Sequence, residues 1–245
     1  MTRLTLFYDR YHQKNHHYQK VIRPNNFTYF YILRLLKLTG ISDWPSLSVL
    51  DVGCGVGAMS LYVATLGAKV KGIDISSRAI EIAKSAKDAL GFQKVSFKQG
   101  ELEKGKETID IVLCFEVIEH VKDEKKFLQT IRSQLKPSGL LVLSTPSSEN
   151  WLYQHGFYQR FDQEVGHYRR YTPALLSTLL KKNGFKIVKI RQVEGPLRNL
   201  LFTTKLGYMI RLIRGPLVRL FHVLDHLSGQ LLGYTDIQVI AEKIK

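Results

Sequence analysis

Five short apolar runs punctuate the first 150 residues: Leu47–Val52, Ala68–Ile73, Lys94–Phe97, Ile109–Phe115 and Leu140–Ser144. Four of them are rich in Val, Ile and Leu and are bounded by Gly, Pro, Asp or Ser, the pattern of strands buried on both faces. Between them, helical patterns of crossover length cover Ala58–Leu66, Ser77–Leu90 and Glu124–Leu135. Ser76 is placed to cap the second, and Lys136-Pro137-Ser138-Gly139 stops the third. Alternation of this kind predicts an α/β fold with a parallel, doubly wound sheet. Further on, Pro173–Lys182 sets four leucines on one face behind a Thr172 cap, and Asn183-Gly184 ends it before the strand pattern Phe185–Val193. The last strand pattern, Ile237–Ile240, arrives only after Gly195–Tyr234, an apolar and basic stretch broken at Pro196 and Pro216. That stretch reads as helices inserted before the final strand. The organisation expected is therefore an aromatic helical arm over residues 1–44 and one domain over 45–245, with 195–234 as its insertion. The chain shows no internal repeat.

A hydrophobic share of 44% with 23% charged residues excludes a disordered chain, a collagen-like repeat and a multi-span membrane protein. The net charge of +15 is unusual, and its distribution matters more than its size. Residues 41–150 carry 14 Lys and Arg against 14 acidic residues, whereas residues 1–40 carry 7 against 1. The remaining surplus lies beyond residue 150. A neutral centre with basic flanks suggests chemistry in the middle and an anionic surface or polymer at the periphery. Lysines that merely keep the protein soluble would give the same count. Two cysteines, Cys54 and Cys114, cannot build a disulfide framework or a four-cysteine zinc site. The N-terminus MTRLTLFYDRYHQKNHH lacks the apolar core of a secretory signal, so a cytoplasmic protein is expected, peripheral at the inner face of a membrane.

Val49-Leu50-Asp51-Val52-Gly53-Cys54-Gly55-Val56-Gly57-Ala58 runs from a buried strand through three alternating glycines into a helix. Glycines permit positive φ and close approach of a ligand to the backbone. Asp74 ends the second strand, where a carboxylate can accept both hydroxyls of a ribose. The pair argues for a nucleoside-containing cofactor. A dinucleotide fingerprint needs G-x-G-x-x-G, but the spacing here is G-x-G-x-G, and an anionic Asp51 would repel a pyrophosphate. Asp51 suits the cationic sulfonium and ammonium of S-adenosylmethionine instead.

Through LDVGCGVG, GIDIS, KQGELE, IDIVLCFEVIEHVKD and LKPSGLLVLSTPS, in that order, the chain resembles the class I S-adenosylmethionine-dependent methyltransferases over about residues 45–193. The resemblance implies a Rossmann-like seven-stranded sheet whose final antiparallel hairpin is here split by the insertion. It implies that Asp51, Gly53, Cys54, Gly55 and Gly57 border the methionine part of the cofactor, and that Asp74, with Ile75 beside it, holds the ribose. Glu101 and Leu102 fall near the adenine, with Glu in place of the commoner Asp. Cys114 and Phe115 end the fourth strand beside the sulfonium.

Phe115 is followed by Glu116-Val117-Ile118-Glu119-His120; in a helical turn Glu116, Glu119 and His120 share one face. Two carboxylates and an imidazole could deprotonate a hydroxyl, or collect a divalent cation such as Mg that lowers the hydroxyl pKa. His167, in VGHYRRYTP, is a fourth candidate on a segment expected to fold over the cleft. His120 is expected as the base, Glu119 as its orienter and His167 as a second substrate or metal contact. The pattern is similar to that of the ubiquinone-pathway O-methyltransferases and to that of small-RNA 2′-O-methyltransferases, in which it binds a metal. A loop cap formed by Glu119 and His120 is the plainer reading.

In the flanks, residues 7–31 interleave Phe7, Tyr8, Tyr11, Tyr18, Phe27, Tyr29, Phe30 and Tyr31 with four cations. Such an arm could stack bases, cover an apolar substrate or pack on the sheet edge. His12, His16 and His17 read as surface residues. Leu197–Leu224 holds five Lys and Arg and no acid among Leu, Ile, Val, Phe and Met, which matches a helix seated in an anionic lipid surface. A dimer interface or a core helix would share its amphipathicity. The expectation is methyl transfer from S-adenosylmethionine to a small or lipidic acceptor, a lipidic, quinone-like or glycolipid hydroxyl at a membrane surface. RNA 2′-O-methylation with nucleic acid as partner comes second, then a non-catalytic cofactor-binding scaffold.

Overall fold

Seven strands form one sheet in the order β3-β2-β1-β4-β5-β7-β6. They are β1 (Ser48–Val52), β2 (Lys69–Asp74), β3 (Val95–Gln99), β4 (Ile109–Phe115), β5 (Leu135–Pro146), β6 (Phe185–Val193) and β7 (Asp236–Lys243). The computed structural model describes residues 26–106, 108–203 and 216–244, together with Asp9 and Ile22. β1 to β5 pair in parallel, and β7 is antiparallel to both β5 and β6. β5 and β6 therefore point the same way, so β1, β2, β4, β5 and β6 all end at one edge of the sheet.

The central strands alternate sides. Val49, Ile111, Leu113 and Val142 join one core cluster, while Leu50, Val112, Leu141 and Leu143 join the other. Both faces are covered, which is why these strands read as unbroken apolar runs. On the first side lie α1 (Phe30–Lys37), α2 (Ala58–Thr65) and α3 (Ser77–Ala89); α4 (Glu124–Gln134) and α7 (Pro173–Lys182) lie on the second. Ser76 and Thr172 cap α3 and α7 as their positions predict, accepting from Ala79 N–H and Leu175 N–H at 3.1 Å each. Within the arm expected over 1–44, α1 buries Leu33, Leu35 and Leu36 in the core. The arm's residues Phe7, Tyr8, Tyr11, Tyr18, His12, His16 and His17 lie outside the described residues.

Strand boundaries differ from the sequence pattern most at β3, β5 and β7, the last running over Asp236–Lys243 where the pattern marks Ile237–Ile240. β3 runs on through Lys98 and Gln99, exposed residues that pair with Ile73 and Asp74 of β2. β5 begins at Leu135, and the Lys136–Gly139 turn is accommodated within it by a register shift against β4, with Ser138 at φ 60°.

Two short helices, α5 (Trp151–Gln154) and α6 (Gln159–Val165), follow β5; α8 (Pro196–Thr203) and α9 (Pro216–Leu232) occupy the insertion. Since β6 ends at Val193 and β7 starts at Asp236, α8 and α9 stand over the carboxyl edge of the sheet. Lys205, Arg211 and Arg214 lie outside the described residues. α9 is unusual in its orientation. It buries Asp225 and Gly229 and exposes Leu217, Leu220, Val223, Leu224, Leu227 and Leu231.

Candidate active site

The glycine loop leaves β1 at the centre of the sheet, and its shape depends on two close approaches. Gly53 has φ 69°, and a Cβ there would stand 2.4 Å from Val117 Cγ2; at Gly57, φ is 79° and a Cβ would meet the Phe97 ring at 2.6 Å. The loop spends its own amides. Gly53 and Cys54 N–H donate to Ile73 O, Gly57 N–H to Cys54 O, and Gly55 N–H to Asp74 Oδ2 at 2.8 Å. The other Asp74 oxygen accepts Ser76 N–H at 2.8 Å. The loop thus supplies space more than donors, and Asp74 is held on it through both carboxylate oxygens. Asp9 reaches the same rim, accepting Ser76 Oγ–H at 2.6 Å and Arg78 N–H at 3.2 Å. The arm therefore touches the Asp74 side of the cleft, a contact the sequence pattern does not show.

Asp51 and Cys114 sit deeper than expected. Asp51 is 2% exposed and accepts Ser60 Oγ–H at 2.6 Å; burial lifts its pKa to about 7. Cys114 packs wholly within the core because strand alternation turns it under the sheet, leaving half-buried Phe115 at the edge. Burial pushes both Cys54 and Cys114 thiols up, so neither is a nucleophile. Ile75 and Leu102 are half-buried and Glu101 is exposed, as residues along an open rim are. Gly53 and Glu116 remain open to solvent although they stand at the middle of the sheet's edge. That combination marks a cleft.

Beyond β4 the chain does not make the α-helical turn that would align Glu116 with Glu119 and His120. Glu116 takes φ 55°, and only Ile118–His120 winds, as a tight 3-10 turn. Glu116 consequently leaves the candidate metal set and accepts Ser144 Oγ–H at 2.5 Å. Glu119, His120 and His167 converge instead, offering Oε1 and two ring nitrogens within 4.8 Å of one another. Glu119 is fully buried; Oε2 accepts Thr145 Oγ1–H at 3.0 Å, and Oε1 has no hydrogen-bond partner. It faces His120 Nε2 at 3.9 Å and His167 Nε2 at 4.0 Å. Burial, then repulsion from Glu116, raises the Glu119 pKa well above the carboxylate range.

Each imidazole is fixed from behind. His120 Nδ1 lies 3.3 Å from Gly166 O, an acceptor only, so the proton is assigned to Nδ1 and the Nε2 lone pair turns inward. Glu119 is therefore not the orienter of His120: it stands on the reactive side of the ring, and the Gly166 carbonyl does the orienting. Burial, reinforced by His167, lowers the His120 pKa to about 4, so the ring is neutral at pH 7. His167 Nδ1 lies 2.8 Å from Asp162 Oδ1, and Arg170 grips the same carboxylate from Nε at 2.9 Å and Nη2 at 2.7 Å.

The neighbouring residues of VGHYRRYTP fasten this lid. Tyr168 N–H donates to Glu119 O at 2.9 Å, Arg169 donates to Val121 O and Lys122 O at 2.9 Å each, and Tyr171 OH donates to Glu124 Oε2 at 2.7 Å. Asp236, at the start of β7, closes the far side. Burial and the nearby Glu116, Glu194 and Glu119 raise its pKa well above the usual range. Ser144 and Thr145 are signalled in the sequence by polar residues ending an apolar strand; Asp162, Arg170 and Asp236 reach the cleft only through tertiary pairing.

A glycine loop after β1 and an acid ending β2, at the carboxyl edge of a 3-2-1-4-5-7-6 sheet, define the class I S-adenosylmethionine-dependent methyltransferase fold. The chain belongs to the methyltransferase domain family, which matches residues 17–190. It is 41% identical over 103 residues to the mitochondrial ubiquinone biosynthesis O-methyltransferase of Schizosaccharomyces pombe, covering 40% of this chain and 38% of that one. To the ubiquinone biosynthesis O-methyltransferase of Colwellia psychrerythraea it is 36% identical over 117 residues, 45% of this chain and 47% of the relative. The match thus spans less than half the length of these curated relatives. Among solved structures, a phosphoethanolamine N-methyltransferase of Haemonchus contortus with bound S-adenosylmethionine aligns at TM-score 0.70 and 18% identity, over 89% of this chain and 53% of that one. Magnesium protoporphyrin IX methyltransferase of Synechocystis, with bound S-adenosylhomocysteine, aligns at TM-score 0.64 and 20% identity, over 98% and 95%. These likenesses concern the fold.

Proposed function

We propose that the chain transfers the methyl group of S-adenosylmethionine to a hydroxyl of a lipidic, quinone-like or glycolipid acceptor at an anionic membrane surface. The observation that carries this reading is the convergence of Glu119 Oε1, His120 Nε2 and His167 Nε2 on the cofactor edge. Asp51, Gly53, Gly55, Gly57 and Asp74 would hold the cofactor, which supplies the activated methyl when bound.

His120 alone makes a poor base. With a conjugate acid near pKa 4 it cannot readily deprotonate a phenol-like hydroxyl near 10. The donor set fits a divalent cation better: a buried carboxylate oxygen without a partner and two imidazoles, each with Nδ1 held by an acceptor. The spacing is slightly wide for a shared ion, whose ligand distances are about 2.1 Å, and would contract by small side-chain shifts. Glu119, His120 and His167 would hold the ion, and a cation such as Mg, bound there, supplies Lewis acidity that lowers an acceptor hydroxyl's pKa. The lid over the site, fastened through Asp162, Arg169 and Tyr171, excludes water.

The membrane part of the proposal is supported by α9, which turns its leucines outward and keeps Asp225 inside. Among the described residues no helix is long and apolar enough to cross a membrane. The test is transfer of labelled methyl from S-adenosylmethionine into a cell extract, with and without chelator, followed by partition. Chelator-sensitive label in the organic phase is expected. Label in the nucleic-acid fraction would replace this reading with RNA methylation, and cofactor binding without turnover would reduce the chain to a scaffold.

A further inference from the structure

Helices α5, α8 and α9 line a half-open cavity of about 300 Å³, with Trp151, Leu152, Leu197, Leu200, Ser228 and Leu232 along its walls. Its walls are hydrocarbon. The Ser228 hydroxyl is occupied locally, donating to Asp225 O at 2.7 Å and accepting from Leu197 N–H at 3.4 Å. A charged or strongly polar group placed there would lose its water and gain little in return. The size lies at the lower end of ligand pockets, roughly 300–1,000 Å³.

Topology sets the cavity beside the chemistry. α5 follows β5 and α8 follows β6, and both strands end at the edge that carries Glu119 and His120. Asp225, whose backbone carbonyl accepts from Ser228 of the cavity wall, also accepts Gly195 N–H at 2.9 Å and Arg198 N–H at 2.7 Å, and Arg198 is ion-paired at 3.1 Å to Glu194, which feels the charge of Glu116 in the cleft. Trp151, Leu200 and Leu232 line the cavity while remaining partly exposed, and α9, which supplies Ser228 and Leu232 to it, exposes further leucines.

We infer that this cavity seats the hydrocarbon tail of the acceptor, an isoprenoid or alkyl chain that enters from the α9 face with its polar end directed to Glu119, His120 and His167. The inference rests on the lipidic acceptor proposed above and adds where its tail is held. A headgroup held by the cluster and a tail held by the cavity would together fix the hydroxyl, with the tail supplying binding energy remote from the reacting atoms.

The chain has two tryptophans, and Trp44 is buried before β1, at the opposite edge of the sheet. Emission changes on ligand addition therefore report Trp151. The full chain is titrated with monomeric farnesol, and S-adenosylhomocysteine binding is measured by calorimetry on the same preparations. Expected are a saturable blue shift at one farnesol per chain and at least tenfold weaker binding in Leu200→Glu, with cofactor affinity unchanged within twofold. If that variant fails to fold, Leu200→Gln is read in the same way. Absence of a saturable shift while the cofactor binds overturns the tail site and leaves the methyl-transfer reading standing. A shift produced only by phosphatidylglycerol vesicles also overturns it, assigning the leucines to the membrane alone. Failure to bind S-adenosylhomocysteine defeats the proposed function instead, and the farnesol titration still decides the cavity.

Discussion

His167 Nδ1 lies 2.8 Å from Asp162 Oδ1, five residues earlier, and Arg170 holds that same carboxylate with two further hydrogen bonds. The carboxylate fixes the tautomer of the ring, so that the free nitrogen points at Glu119. Asp162→Asn breaks the charge pairing and offers an amide N–H to a ring nitrogen that must itself donate. Expected are 10–100-fold losses in divalent-cation affinity and in methyl transfer, with S-adenosylhomocysteine affinity unchanged. Calorimetry with Mg and Mn, beside turnover, checks this. Equal loss of cofactor and cation binding would show that Asp162 merely holds the fold.

Much of this arrangement was legible in the sequence, and the failures have identifiable causes. The central strands declared themselves because burial on both faces leaves no polar position, and Gly53, Gly57 and Asp74 because a tight loop demands their chemistry. β3 was misplaced because Lys98 and Gln99, at the edge of the sheet, need no apolar side chain. Glu116 was grouped with Glu119 by helical spacing, which a φ of 55° removes. Asp162 was missed because it meets His167 only through the left-handed Gly166, φ 80°, that folds the chain back on α6. For α9 the amphipathic pattern was visible, but which side faces inward was not: Asp225 finds its partners on α8 and on Tyr31 of α1.

Asp51 couples the cofactor loop to pH. Its folded pKa of about 7 lies above the ordinary carboxylate value of 3.8, so between those values the native state binds a proton the unfolded chain has released. The stability from that proton is full below the ordinary range and is lost as pH rises through about 7. Asp51→Asn keeps the neutral form, and its side-chain oxygen still accepts from Ser60. The variant should lose less stability than the parent between pH 5 and 8, with an advantage on the order of 1–3 kcal/mol at pH 8. It should also bind S-adenosylmethionine more weakly, because the contact proposed between this carboxylate and the cofactor's cationic groups is gone. Denaturant titrations of the ligand-free protein across that pH range provide the check, and parallel pH slopes would refute it.

Gly53 and Val117 form a second coupled pair. An alanine at position 53 meets two separate penalties, a left-handed backbone and a Cβ 2.4 Å from Val117 Cγ2. The first costs roughly 1–2 kcal/mol by itself. Gly53→Ala should therefore reduce stability by more than that and weaken S-adenosylhomocysteine binding at least tenfold. Adding Val117→Ala removes the clash but not the backbone strain, so the double variant should recover part of the loss, with a coupling on the order of 0.5–3 kcal/mol. Strict additivity would mean that the two residues do not meet in solution.

Arg198 is the remaining structural wager, because it is a fully buried cation holding the insertion to the N-terminal segment. Nε lies 3.1 Å from Glu194 Oε1, and Nη2 donates to Phe27 O at 2.8 Å and Thr28 O at 2.9 Å. The guanidinium also stands over the Phe27 and Tyr31 rings, 4.5 and 5.3 Å from their centroids. Arg198→Met leaves half-buried Glu194 without its cation and two carbonyls without their donor. Such a loss costs about 3–5 kcal/mol when one member of a buried pair is removed. The damage should be local, because the cofactor loop and α2 make none of these contacts. Hydrogen exchange should therefore show α8, α9 and residues 27–31 losing protection together while β1 and α2 retain theirs. Uniform loss across the sheet would show instead that the insertion is integral to the core and not a module fastened over the carboxyl edge by one arginine.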